Sequence, residues 1–581
     1  MVKLPDVGDI IGKIVLPFDL LVIAHADFVD ELEPLKKHKE YIDIKTRILS
    51  WQELAESYSS QGRDVQERIK KAIASFKKSC GIKYVMIVGD SDRFPVRYCK
   101  VYDPYAWGNG YSPSDLYYAD LFTNDGTSFD DWDGNANNII GEMQGGTWTP
   151  GSTLADINLD SMDLYPDVAV GRIPASTEAE VSTYVNKVID YEFGAYKASW
   201  FKKGLLIVPS YPHDDGKYRD YPGSLSTKKN IDGYLKDLGI SSTKLYEQNL
   251  QGLGSGISDA DPSVDNIQTL INSGLGFVNF SGHGNRLQWT RFNYNHVSNL
   301  SNTGKLPVAF VAACTTAHFH KGMTYLDVNG QVFDTQAQCP KYDGEHRCWP
   351  VNPDASEAPE PAAVQSQGAA NYDQDSMAEY FLVKKLSGAI GYIGSYTGAQ
   401  SGGQLLDNYF FEGYRFSMKP PALGALWNYA IRRYIDNNFH IDFNSSSKWY
   451  AMAMFHHIQK YLLMGDPSLR IGGVSSFQRA DFASSYMMDH DGWRGQLFLS
   501  KASTADYIEQ TPNMTGKYIG EDGHEHSVRG YMRTATYPMP SDWGQDHKLQ
   551  FFTDFPIQTV KMTIRNSKPI FLPKAEIPWP G

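Results

Sequence analysis

The stretch VNFSGHGNRLQW (Val278–Trp289) and, beginning about thirty residues further on, LPVAFVAACTTAHFH (Leu306–His320) share one plan. Each opens on an apolar run and leads into a residue with chemistry of its own: His283, between Gly282 and Gly284, in the first, and Cys314 in the second. Continuous apolar runs of roughly 4–8 residues mark strands buried on both faces, the situation of a parallel sheet covered by helices. On this reading GFVNF (Gly276–Phe280) and PVAFVA (Pro307–Ala312) are neighbouring parallel strands. The intervening segment is long enough for one short right-handed crossover through NYNHVSNLS. His283 and Cys314 then sit just past two carboxyl ends, at the edge where open α/β sheets carry their ligand crevice.

The same texture extends outward through most of the chain. Strands are expected at DLLVIA (Asp19–Ala24), YVMIVG (Tyr84–Gly89), DVAVG (Asp167–Gly171), GLLIVP (Gly204–Pro209) and GAIGYIG (Gly388–Gly394), with helices such as Asp64–Lys78, Thr177–Phe193 and Ser376–Leu386 between them. Strand alternating with helix predicts a doubly wound α/β architecture. The pattern runs twice, giving an N-terminal subdomain over 1–197 and a second, carrying both His283 and Cys314, over 198–474. The helix STEAEVSTYVNKVIDYEF joins them, and its opening Ser with glutamates in the first turn predicts a capped helix start at Ser176. From 475 to 581 short alternating stretches predict a small antiparallel β domain, with a hairpin turning at Asp522-Gly523. Residues 322–371, rich in Pro, Ala and acids and without periodicity, read as a lid or mobile insertion directly after Cys314.

Composition narrows the function. The 581 residues carry 54 basic and 67 acidic side chains, a net charge of −13, and no basic block that would neutralise a run of phosphates, so nucleic acid is not the expected partner. No apolar run approaches the roughly 18 residues of a membrane-spanning helix. The opening MVKLPDVGDIIGKIVLPFDLL has acids inside its apolar part, so neither signal peptide nor anchor is expected in this chain. A secreted protein supplied without its leader would look the same. The five cysteines are too few for a disulfide scaffold. Cys339 and Cys348 could form a local disulfide, join His346 around a metal, or remain reduced.

A thiol with an ordinary pKa near 8.5 is mostly protonated at neutral pH, and a nearby imidazole both stabilises the thiolate and protonates a leaving amine. Cys314 and His283 therefore form the minimum machinery of acyl transfer, with the amides of Gly284 and Cys314 available to an oxyanion. Taken singly, each is as readily a buried small residue or a satisfied polar group. A non-catalytic binding protein on the same scaffold, and a transpeptidase using the same thioester, are the competing readings.

SGHGN followed by VAAC resembles the His and Cys motifs of the gingipain-like cysteine peptidases, whose fold is shared with caspases, legumain and separase. YVMIVGDSDRFPVRY, YPDVAVGRIPASTEAEVSTYVNKVIDYE and YLLMGDPSLRI are similar to that family too, in the expected order. The resemblance implies an endopeptidase acting on proteins or peptides, extracellular or at the cell surface, with Cys314 as nucleophile and His283 as general acid and base. It also implies an acid orienting His283 from the loop PSYPHDDGKYRDYPGS, where Asp214, Asp215 and Asp220 are the candidates. Ser395, Tyr396 and Thr397, at the end of GAIGYIG, are implied to line the pocket for the residue before the scissile bond. VAACTTAHF has no glycine after the cysteine, so the aspartate specificity of caspases does not carry over; His318 and His320 either line the site or are loop residues.

Finally, DWDGNANNIIGE sets oxygen-bearing side chains at Asp131, Asp133, Asn135, Asn137 and Glu142, the spacing of a calcium loop, although its glycine falls at the fourth position. The resembled family often carries structural calcium; the other reading is an Asp/Asn-rich turn. VGDSDR lacks the spacing of a phosphate loop, and no organic cofactor is expected.

Overall fold

The computed structural model describes residues 17–474 apart from 104–107, 125, 143–157, 213–217, 221–222, 248–249, 251–255, 400, 418–419 and 439–454; within 320–373 and beyond 474 it describes little more than paired strands. Ten strands form one sheet: β1 (Leu20–Ala24), β2 (Thr46–Ser50), β3 (Tyr84–Val88), β4 (Ala169–Ile173), β5 (Lys203–Val208), β6 (Ser241–Tyr246), β7 (Phe277–Ser281), β8 (Val308–Ala312), β9 (Gly391–Ser395) and β10 (Tyr461–Gly465). Their order across the sheet is β6-β5-β7-β8-β9-β10-β4-β3-β1-β2. All neighbours are parallel except β9 and β10. The architecture is α/β with a large, mostly parallel sheet. The two strand-helix runs of the sequence meet in this one sheet, through the pairing of β10 with both β9 and β4.

The strands expected from apolar runs are fully buried along their length in β1, β3, β7, β8 and β9, which is why they are legible. β2 and β6, which close the two edges, lack such runs because most of their residues are only partly covered.

The helices that matter below are α1 (Glu33–Tyr41), α2 (Val65–Cys80), α3 (Glu178–Gly194), α4 (Ser224–Asp237), α5 (Val264–Ser273), α6 (Met377–Leu382), α7 (Gly402–Phe416) and α8 (Leu423–Asn438). Asp64 caps α2 by accepting from Glu67 N at 2.8 Å, and Gly81 ends it in the left-handed region. The α3 cap is Thr177, whose side chain accepts from Glu180 N, one residue later than the Ser176 expected. Ser176 N instead donates back to Glu180 Oε2 at 2.8 Å. Glu180 thus finds its partners among both neighbouring hydroxyl residues.

Beyond residue 474 a separate unit contains three antiparallel pairs: Ser485–Asp489 with Gly492–Gln496, Met514–Ile519 with Glu525–Gly530, and Asp546–Phe551 with Val560–Arg565. The second is the hairpin expected around Asp522-Gly523. Among the described residues no helix is long and apolar enough to cross a membrane. Cys339 and Cys348 lie outside the described residues.

A buried charge cluster fastens the helices to the segment after β10. Glu192 of α3 takes Lys39 Nζ at 2.9 Å on both oxygens, lies 2.7 Å from His38 Nε2, and accepts from Arg470 N at 2.8 Å. Lys39 Nζ also lies 2.7 Å from Asp466. Burial alone would raise the Glu192 pKa, but the Lys39 ammonium and the His38 ring overcome it and hold the carboxyl at about 2, against an ordinary 4.5. Its stabilisation is therefore complete above pH 4.5 and is lost as pH falls towards 2. Glu192→Gln should cost on the order of 3 kcal/mol at pH 7, because Lys39 loses one of its two buried carboxylate partners and keeps only Asp466. It should also flatten the acid limb of a plot of Tm against pH; an acid limb as steep as the parent's would count against this account.

Candidate active site

β7 and β8 pair in parallel with Ser281 opposite Ala312, and Gly282 N carries the ladder one step further by donating to Ala312 O at 3.1 Å. His283 and Cys314 each lie two residues beyond that pair. Adjacent strands run about 4.8 Å apart, so the two backbones leave the sheet side by side on one rim. His283 is exposed and Cys314 half-buried.

The loop bearing His283 is a miniature hairpin. Its carbonyl accepts from Thr290 N at 3.0 Å and Thr290 Oγ1 at 3.1 Å, and Gly284-Asn285 pairs antiparallel with Gln288-Trp289. Because the 283/290 pair is hydrogen-bonded, Gly284 occupies the next, open position and its N–H turns away from the partner strand. Trp289 roots the hairpin in the core: its Nε1 donates to Tyr392 Oη at 2.9 Å, and its ring stacks on Phe381 with centroids 4.9 Å apart. The opposite side of Gly284 presses on the cysteine loop. A Cβ there would come within 2.9 Å of both Ala313 Cβ and Thr316 Cγ2, so only glycine lets the two loops touch.

The cysteine loop is equally constrained. Thr315 holds φ +52°, strained for a β-branched residue, and is kept there by donating its N–H to Thr397 O at 2.9 Å. Ala317 N donates to Ser395 O at 3.1 Å. The first turn of α6 is bonded to both loops, Met377 N to Arg286 O at 2.8 Å and Ala378 N to Thr316 O at 3.1 Å. Cys314 Sγ lies 3.3 Å from Ala399 N, which donates to it, and 3.6 Å from Ala399 O.

Ser395, Tyr396 and Thr397 thus stand beside the cysteine, but their side chains are buried, and the carbonyls of Ser395 and Thr397 serve its loop. His318 is buried too and stacks on Tyr396 with centroids 4.3 Å apart, a packing position rather than an open wall. Asp220 accepts from Leu225 N at 3.0 Å, beside the start of α4. Asp214, Asp215 and His320 lie outside the described residues.

The five residues of the calcium-loop spacing do converge. Asp133 Oδ1 accepts from Asn137 N at 2.9 Å, and Asn137 Nδ2 donates to Glu142 Oε2 at 2.7 Å. Asn135 Nδ2 reaches the same oxygen at 3.4 Å. Cations of the chain already sit on the carboxylates: Arg63 on Asp131 at 2.6 Å and on Asp133, and Lys100 on Glu142 at 2.8 Å.

A second acidic group, which no local spacing announces, lies nearby in sequence. One oxygen each of Asp120, Asp130 and Asp163 falls within 4.8 Å of the others. Asp120 Oδ2 accepts from Trp132 Nε1 at 2.9 Å and Leu164 N at 3.1 Å. Asp120 Oδ1 and Asp130 Oδ2 are buried and meet no donor among the described residues. Burial, reinforced by mutual repulsion, raises the pKa of Asp120 well above the ordinary carboxyl value and pushes Asp163 up to about 6. The ammonium of Lys70, itself buried, lies over the Tyr117 ring at 4.3 Å and partly offsets the charge.

Three comparisons bear on these sites. The model of the peptidase family C25 matches residues 15–334 and 365–472. Gingipain R2 of Porphyromonas gingivalis is 28% identical over 163 residues, 27% of this chain but only 20% of that protein. Lys-gingipain of the same organism is 24% identical over 204 residues, 33% of this chain and 11% of that protein. Aligned segments thus span a fifth or less of these relatives. Among solved structures, the complex of Porphyromonas gingivalis RgpB pro- and mature domains superposes with a TM-score of 0.50 at 15% identity, covering 94% of this chain and 99% of that one. The crystal structure of the Arg specific cysteine proteinase gingipain R gives 0.50 at 14% identity, with 94% and 98% covered. At such identities the superpositions speak for the fold.

Gly284→Ala should force the two loops apart and slow alkylation of Cys314 by iodoacetamide about tenfold or more, since displacement of about 1 Å costs reacting groups that much. An unchanged rate in the folded variant would show that the Gly284 contact does not set the geometry.

Proposed function

The chain belongs to peptidase family C25, and from that membership, joined to the common rim of His283 and Cys314, we propose that it is a cysteine endopeptidase hydrolysing protein substrates through this pair. The register of Ser281 opposite Ala312 carries the reading, because it is what delivers imidazole and thiol to the same edge. The Cys314 sulfur, its proton passed to His283, attacks the scissile carbonyl. Collapse of the tetrahedral intermediate breaks the C–N bond as His283 protonates the departing amine, leaving a thioester. Water then gives a proton to His283, attacks the thioester and releases the acid and the free thiol. The amides of Gly284 and Cys314 hold the oxyanion, the Ala399 amide supports the sulfur as an anion, and Asp214 or Asp215 orients His283. Since the side chains of Ser395, Tyr396 and Thr397 are buried, this segment meets the substrate mainly through its backbone.

For structural calcium, the unengaged oxygens favour Asp120, Asp130 and Asp163 over the loop 131–142. With the Asp120 proton displaced by a divalent cation, three carboxylates beside one ammonium would carry two negative charges; bound there, the cation would hold the segments carrying these aspartates together.

Cys314→Ala should abolish cleavage of denatured casein while leaving Tm near the parent's, and His283→Ala should lower kcat by about 10²–10⁴-fold or more. Parental activity in Cys314→Ala would end the peptidase reading, and incorporation of an added amine into the products would make the chain a transpeptidase. Calcium should raise Tm at pH 7.5 and much less at pH 5, below the value of about 6 at which Asp163 gains a proton. Asp120→Asn with Asp130→Asn should remove that rise; removal by Asp133→Asn with Glu142→Gln alone would place the ion in the loop.

A further inference from the structure

Two polar side chains interrupt the buried strand that leads to His283. Asn279 and Ser281 alternate with Val278 and Phe280 along β7, so they project from one face of the sheet, and both are fully buried. Polar groups so placed need partners, and theirs come from two helices. Asn279 Nδ2 donates to Asp407 Oδ1 at 2.6 Å, and Ser281 Oγ donates to Gln404 Oε1 at 2.9 Å. Gln404 and Asp407 are three residues apart on α7 and share its inner face. From α4, which packs along α7, Lys228 Nζ donates to Asp407 Oδ2 at 3.0 Å and to the same Ser281 hydroxyl. All five residues are buried, and the one ammonium balances the one carboxylate.

Each anchor lies close in sequence to a part of the candidate site. Ser281 is two residues before His283. α7 begins three residues after Ala399, whose amide donates to Cys314 Sγ. α4 follows the loop that holds Asp214 and Asp215.

We propose that the Lys228–Asp407 pair, with Asn279, Ser281 and Gln404, is a positioning device that fixes the His283 strand end against the segment contacting Cys314. None of the five is a catalytic residue. A buried ion pair is a poor source of stability, because desolvation offsets its attraction and apolar replacements of similar shape are often as stable. What an apolar pair lacks is direction. Here a hydroxyl that accepts from Lys228 and donates to Gln404, and a carboxylate that takes a different donor on each oxygen, tie β7, α4 and α7 in a directional way, with Asn279 Oδ1 and Gln404 Nε2 the two network atoms that meet no partner among the described residues.

This inference rests on the peptidase reading, and the test separates the two. Lys228→Met with Asp407→Leu, Asp407→Asn alone, and Ser281→Ala would be compared with the parent for kcat and KM on denatured casein, Cys314 alkylation by iodoacetamide, and Tm. The double apolar variant should keep a Tm close to the parent's and a KM within about threefold. Its kcat should fall about 10–100-fold, with alkylation slowed in parallel, the scale expected for reacting groups displaced by about 1 Å. Asp407→Asn should lose kcat and Tm together. A double variant with parental kcat and alkylation rate would overturn the proposal. Should that variant fail to fold, Ser281→Ala and Gln404→Ala decide it, since parental values in both overturn it equally. A parent unable to cleave casein would end the peptidase reading, while the alkylation rates would still decide whether the network positions Cys314.

Discussion

The parallel pairing of β7 with β8 is the constraint on which the site depends. Strand pairing has a period of two in side-chain direction, so a slip of one residue would exchange the faces of Phe280 and Ser281, take Ser281 away from Gln404 and Lys228, and carry His283 to the other face. Buried apolar side chains on both strands, and the bonds that Asn279 and Ser281 of β7 make to Asp407 and Gln404, hold the register. The rim is then built from loops that touch only because one of them has no side chain at Gly284, and from a threonine kept at an uncommon backbone angle by a carbonyl of the next strand. The segment Ser395–Thr397, the cysteine loop and the histidine hairpin are in this way three neighbours on strand ends of one edge.

Much of this was legible before any coordinates because buried parallel strands leave a plain record. GFVNF and PVAFVA cannot be mistaken for surface elements, and the residues after them inherit their placement. The two outer strands, Thr46–Ser50 and Ser241–Tyr246, leave no such record, since half-covered residues are free to be polar. The loop at 131–142 shows the opposite difficulty. Its spacing of oxygen ligands is visible, whereas the Arg63 and Lys100 side chains that lie on those oxygens come from other elements and follow no local rule. Asp120, Asp130 and Asp163 were hidden for the same reason: only folding gathers them. The buried hydroxyls at the end of GAIGYIG could not be told from exposed ones by pattern, since a strand end looks polar in either case.

Several buried ion pairs sit at junctions between elements. Lys39 with Glu192 and Asp466, Arg172 with Asp115, and Lys228 with Asp407 each join elements distant in the chain. In the Glu192 cluster the neighbouring cation outweighs burial and keeps the carboxylate ionised, whereas Asp407, with its single ammonium, is still raised by burial. The same fold therefore contains clusters that tolerate acid differently, and these hold different pairs of elements.

The tenth strand of the sheet is synthesised last and placed in the middle. Tyr461–Gly465 lies between β9 and β4, running against the first and with the second. While the preceding 460 residues emerge from a ribosome, two partial sheets exist, each with a bare inner edge that would recruit any extended chain. Only the arrival of YLLMG closes the seam. A chain ending upstream of it would carry two partial sheets, each with an unpaired edge, instead of one continuous sheet.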